Sequence, residues 1–109
     1  MTPAKFRELA LALPEATEEP HFDLSSFRVR GKIFATVPPG SPTVRIFVDE
    51  HTTHAMVAND PGTYAELWWG KKLSGLAVTL RHARVGDVRE LLDEAWRRKA
   101  PTSLLRELD

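Results

Sequence analysis

The sequence predicts an α+β domain, a two-layer sandwich in which an antiparallel sheet carries its N- and C-terminal helices on one face. Three observations lead there. Phe6, Leu9, Ala10 and Leu13 recur at the spacing of an amphipathic helix, and Val88, Leu91, Leu92, Ala95 and Trp96 do so again near the other end. Between them, Val44-Arg45-Ile46-Phe47-Val48 and Leu76-Ala77-Val78-Thr79-Leu80 alternate with the period of a strand. The densest strand signal is Phe27-Arg-Val-Arg-Gly-Lys-Ile-Phe-Ala-Thr-Val37, two such runs around a turn.

Each element has its own local cause. Thr2 can cap the first helix and Pro3 suits its first position; Pro14 closes it, because the residue before a proline is pushed out of helical geometry. Residues 15–23 are acidic, contain Pro20, and read as a loop. In the hairpin, a Gly31-Lys32 turn of type II′ sets Arg30 opposite Ile33, Val29 opposite Phe34, Arg28 opposite Ala35 and Phe27 opposite Thr36. Phe27, Val29 and Phe34 then face the core, and Arg28 and Arg30 face away.

Pro38-Pro39-Gly40-Ser41-Pro42 is a loop, followed by the third strand. Residues 49–58 suggest a short helix opened by Asp49 or Glu50. Residues 64–69 read as a short strand or an extended loop ending at Gly70. The last strand runs from Leu76 to Arg81, and Asp87 is placed to cap the last helix. Arg97, Arg98 and Lys99 fall in that helix's final turn, where the dipole favours positive charge. Pro101 stops it, and residues 102–108 add one or two helical turns.

The 109 residues suit a single domain, residues 1–109, with one hydrophobic core. No cysteine is present, which excludes a disulfide framework, a thiolate metal site and a thiol nucleophile. Neither a signal-peptide pattern nor a membrane-spanning run occurs, so a cytoplasmic protein without membrane contact is expected. Fifteen basic and fifteen acidic residues cancel, so any nucleic-acid role has to rest on local asymmetry.

The sheet side turned away from the helices is the sharpest candidate surface. Arg28, Arg30, Arg45, Phe47, Thr79 and Arg81 project there, and Lys32, Lys71 and Lys72 extend the path. Arginines along a sheet can follow a phosphate backbone while Phe47 stacks on a base. The plainer reading is a solvated face whose arginine stems cover apolar surface. Tyr64, Trp68 and Trp69 form a second candidate, a surface for a protein partner or small ligand. Adjacent strand residues point to opposite sides, so one tryptophan is expected to be partly exposed; otherwise both seal the end of the core.

Other chemistry finds little footing. His51 and His54, beside Asp49 and Glu50, lack a third ligand and read as a solvated helix end; Glu15, Glu18, Glu19 and Asp23 read as a solvated loop. No metal or cofactor is expected. Ser25, Ser26, Ser74 and Ser103 have no activating context, and Gly70-Lys71-Lys72 lacks the rest of a phosphate loop. A non-enzymatic protein with no catalytic residues is the reading.

Taken in order, four fragments resemble the MmcQ/YjbR family of small bacterial proteins. They are the Leu-Ala-Leu-Pro-Glu-Ala end of the first helix, the Phe-Arg-Val-Arg-Gly-Lys-Ile-Phe-Ala hairpin, the strand Gly-Leu-Ala-Val-Thr-Leu, and the close Leu-Leu-Asp-Glu-Ala-Trp-Arg-Arg-Lys-Ala-Pro. Gly75-Leu76 stands where the family often has Gly-Trp, and Thr102 follows Pro101 where a lysine is common. The resemblance implies a frataxin-like (CyaY-like) sandwich, described for the family as a double-wing DNA-binding fold. It supplies no catalytic residues. The function expected from it is a DNA-binding module, weak and salt-dependent, contacting phosphates through the basic sheet face and hairpin. The alternative is a protein-interaction or small-ligand module built on Trp68 and Trp69.

Overall fold

A computed structural model describes residues 1–108. Helix α1 (Pro3–Leu11) begins as its cap predicts, with the Lys5 amide donating to Thr2 Oγ1 at 3.1 Å, and it buries Phe6, Leu9 and Ala10. The acidic segment is a strand rather than a loop: β1 (Ala16–His21) pairs antiparallel with β2 (Leu24–Val29) from Ala16↔Val29 to His21↔Leu24. Pro20 is tolerated because β1 is the sheet's edge.

The hairpin of β2 and β3 (Lys32–Val37) turns one residue earlier than expected. Its last pair is Val29↔Lys32, and the turn is Arg30-Gly31, both at positive φ, the type I′ pattern. Arg28 therefore opposes Ile33. A bulge then leaves Phe34 unpaired, so that Phe27 opposes Ala35 and Ser26 opposes Thr36. Phe27, Val29 and Phe34 are buried as expected, and Ala35 joins them. Arg30 sits in the turn itself, on neither sheet face.

Strand β4 (Thr43–Ile46) pairs with β3 and with β6 (Lys72–Thr79), and β5 (Tyr64–Trp69) closes the far edge, giving an antiparallel order β1-β2-β3-β4-β6-β5. The ambiguous segment is thus a strand. The last strand starts at Lys72, four residues earlier than its apolar alternation, and stops at Thr79. Arg81 lies beyond it on a 3₁₀ turn over Leu80–His82.

Helices cover one face. Between β4 and β5, α2 (Glu50–Asn59) is capped by Asp49, which accepts from the Thr52 amide at 2.8 Å, and packs on β5 and β6. The long α3 (Val85–Lys99) lies across β2, β3 and β4 and against α1, burying the five apolar residues its period marks. Arg84, not Asp87, occupies its N-cap; Asp87 sits inside the first turn, where its charge complements the helix dipole. Trp96 is buried and donates its ring N–H to the Pro14 carbonyl at 3.0 Å, tying α3 to the end of the α1 segment. A short α4 (Thr102–Leu108) inserts Leu104 into the same core.

One glycine is fixed by packing. Gly75 of β6 has φ +150°, and a Cβ there would stand 2.4 Å from the Ile46 carbonyl oxygen and 2.9 Å from Phe47 Cα. Backbone crosses backbone at this point, where the chain leaves β4. Gly75→Ala is expected to cost about 1–3 kcal/mol, the range for overpacking, read as a lower urea midpoint at unchanged m.

Candidate nucleic-acid interface

The uncovered sheet side is concave at one end. There the β5–β6 hairpin and the last turn of α3 rise on either side of the strands and enclose a groove of about 550 Å³. Thr36 and Arg45, neighbours across β3 and β4, lie in its floor with Phe47. Trp68, Trp69 and Lys72 come from the hairpin, and Arg98 and Lys99 from α3. The Gly70-Lys71 turn, with Gly70 at φ +60°, brings Trp69 opposite Lys72 as the last pair of the hairpin.

Electrostatics separates this groove from the rest of the surface. Among the described residues, no aspartate or glutamate lines it. Six carboxylates lie beside bases elsewhere: Glu15 with Arg30, Glu18 with Arg7, Glu8 with Lys5, Asp93 with Arg97, and Glu50 and Glu66 with His54. Among the described residues Arg45, Lys72, Arg98 and Lys99 form no ion pair. Burial pushes the Lys99 ammonium below its usual range, and the charges of Arg98, Lys72 and Lys32 add to the effect. Lys99 is thus held among cations that repel it. Arg98 is fixed by donating from Nη1 to the Phe47 carbonyl at 2.8 Å, which leaves other guanidinium N–H groups to face the groove.

The structure divides the expected sheet-face residues. Arg45, Phe47 and Lys72 line the groove, and Lys32 adds charge beside Lys99. Lys71 is exposed at the hairpin tip, outside the groove lining. Arg28 and Arg30 are engaged with their own neighbours. Arg30 forms a two-pronged pair with Glu15, at 2.6 and 2.9 Å, which raises the arginine's pKa and lowers that of the carboxyl. Arg28 is half-buried; its Nε donates to Ser26 Oγ at 2.9 Å and lies 4.0 Å from Glu19. Arg81, on the turn after β6, is outside the groove.

The aromatic cluster also divides. Tyr64 is only 3% exposed on the helix-covered side, where burial raises its hydroxyl pKa, so it is a core residue and not part of a surface. Trp68 and Trp69, by contrast, are 52% and 82% exposed. Neither seals the core. The register shift beside them lies on the partner strand, where Ser74 of β6 is the extra residue opposite Leu67 and Trp68.

Arg98, Lys99 and Thr36 belong to the site and escape a reading of the sequence. The two α3 residues look like ordinary dipole-complementing charges. Arg97 is one: it bonds Asp93, four residues back. The next two differ only in pointing over the end of the sheet, which depends on where α3 crosses it.

A family model described as YjbR matches residues 11–98. A comparison with curated proteins finds no match. Among solved structures, the chain is similar to the crystal structure of Deinococcus radiodurans protein DR2400, which carries a domain described as DUF419. The TM-score is 0.75 at 19% identity, over 86% of this chain and 75% of that one. At that identity the likeness bears on the fold, and it agrees with the α+β architecture above.

The charge crowding has a measurable cost. Below its lowered pKa, Lys99 carries a charge that the folded state disfavours relative to the unfolded chain. Lys99→Met keeps the stem and removes that charge. At neutral pH and low salt its melting temperature should rise by about 1–3 °C, and the gain should fade at high salt as the repulsion is screened.

Proposed function

The chain belongs to the YjbR family, and we propose that it is a non-enzymatic DNA-binding module whose contact surface is the groove between the β5–β6 hairpin and the end of α3. The observation that carries this reading is a cleft lined by four cations and, among the described residues, no carboxylate, beside two exposed tryptophans in a chain of zero net charge. Phosphates are the ligands that relieve such a concentration of like charge, and nucleobases are the phosphate-linked groups that use aromatic walls. Arg45, Lys72, Arg98 and Lys99 contact the backbone; Trp68, Trp69 and Phe47 contact bases. Arg28 and Arg30 are neutralised by Glu19 and Glu15 and take no direct part.

A second reading keeps the groove and changes the guest. Trp69, 82% exposed, would serve as the apolar anchor of a protein or small-ligand surface. Salt separates the two, since phosphate contacts release counterions and apolar anchoring does not.

Binding to labelled DNA at low and at near-physiological salt tests the proposal. The parent protein should lose about tenfold or more in affinity between roughly 50 and 200 mM salt. Lys72→Glu with Lys99→Met should remove most binding without unfolding the domain. Arg28→Glu with Arg30→Glu should lower stability more than affinity. DNA binding that is absent at low salt, or unchanged in the Lys72/Lys99 variant, refutes the assignment and leaves the tryptophan-anchored reading ahead.

A further inference from the structure

We infer that the groove is a site for single-stranded DNA, an inference that rests on the nucleic-acid reading above and narrows it to unpaired bases. The first reason is the tryptophans. Their rings stand in solvent at the groove wall, and an aromatic face gains most from another aromatic face. In a duplex each base already stacks on its neighbours and offers only its edge; in a single strand the faces are available.

Shape points the same way. Sheets and helices that read duplexes do so by inserting a convex element into a groove about 12 Å wide. Here the protein supplies the concavity. At about 550 Å³ it falls in the size range of clefts that enclose a small ligand. Bases splayed from a strand can enter such a space, and paired ones cannot.

The third reason is an independent one at the groove floor. Thr36 is 3% exposed, and its Oγ1 has no hydrogen-bond partner. Its cross-strand neighbour Ser26 is satisfied twice over, donating to the Glu19 carbonyl at 2.6 Å and accepting from Arg28 at 2.9 Å. A buried hydroxyl left without a partner is costly in a folded protein and is seldom retained without use. Among the described residues nothing else pairs with it, and base edges carry carbonyl and N–H groups that would complete it once the side chains closing Oγ1 from solvent move aside. A strand lying with its phosphates on Lys72, Arg98 and Lys99 would turn one base inward, stacked at Trp69, with its edge toward Thr36.

The test compares a labelled oligo-dT with a short random-sequence duplex of similar length, using fluorescence anisotropy. Oligo-dT should bind about tenfold tighter or more. Its log-affinity should fall with log salt at a slope of about −2 to −3, as three or four phosphate contacts on a single strand give. Trp69→Ala should cost about tenfold or more and Trp69→Phe little. Thr36→Val, which removes only the unpartnered hydroxyl, should weaken oligo-dT severalfold while leaving the melting temperature equal or higher. Because Trp69 is exposed, its variants should fold as the parent does, which circular dichroism checks. Duplex bound as tightly as oligo-dT, or a Trp69→Ala protein that binds oligo-dT like the parent, overturns the single-strand inference while DNA binding by the groove stands. No binding of either probe at low salt overturns both.

Discussion

A six-stranded antiparallel sheet with every helix on one of its sides must solve two different problems at once, and the groove is where the solutions meet. On the covered side, Phe27, Ala35, Ile46 and Leu76 lie in one row across four strands, with Val44, Val78 and Tyr64 in the next. That arrangement fixes the register, because a slip of one residue would exchange the two faces. On the other side no second layer exists, and the residues there must satisfy themselves, meet water or hold a guest.

The two ends of the uncovered side are managed differently. Toward β1, acids and bases alternate across the strands and neutralise one another through Glu15–Arg30 and Glu19–Arg28. Exposed pairs of this kind contribute little to stability; their effect is to leave that end without net field. Toward β5 the bases have no acidic partners among the described residues, and the chain's overall neutrality hides the difference. Gly75 contributes indirectly. By letting β6 touch the backbone at Ile46 and Phe47, it sets where Phe47 lies and hence which carbonyl Arg98 reaches.

Local chemistry made much of the fold legible. Thr2 and Asp49 cap their helices through their own side chains, and the apolar periods of α1 and α3 name the residues those helices bury. These features depend on neighbours within a turn. The reading failed where the decisive partner was distant or backbone alone. The hairpin turn needed Arg30 in a left-handed conformation, which an arginine enters at a cost, and there it pairs with Glu15. The bulges at Phe34 and at Ser74, opposite Trp68, carry no clear mark in the sequence, yet each shifts the pairing of the residues beyond it. Residues 16–21 lack strand propensity and are strand because β2 offers an edge with ladder bonds to complete.

By itself the sequence determined the sandwich class, both flanking helices, most of the core and the presence of basic and aromatic residues on the uncovered strands, since periodicity and capping are read within a few residues. Only the tertiary structure decided which of those bases are neutralised and which converge. Arg45, Lys72 and Arg98 are far apart along the chain, and their shared groove follows from the order β4-β6-β5 and from the reach of α3 past the strand ends. Charge acts through space, and a sequence gives distance only along the chain.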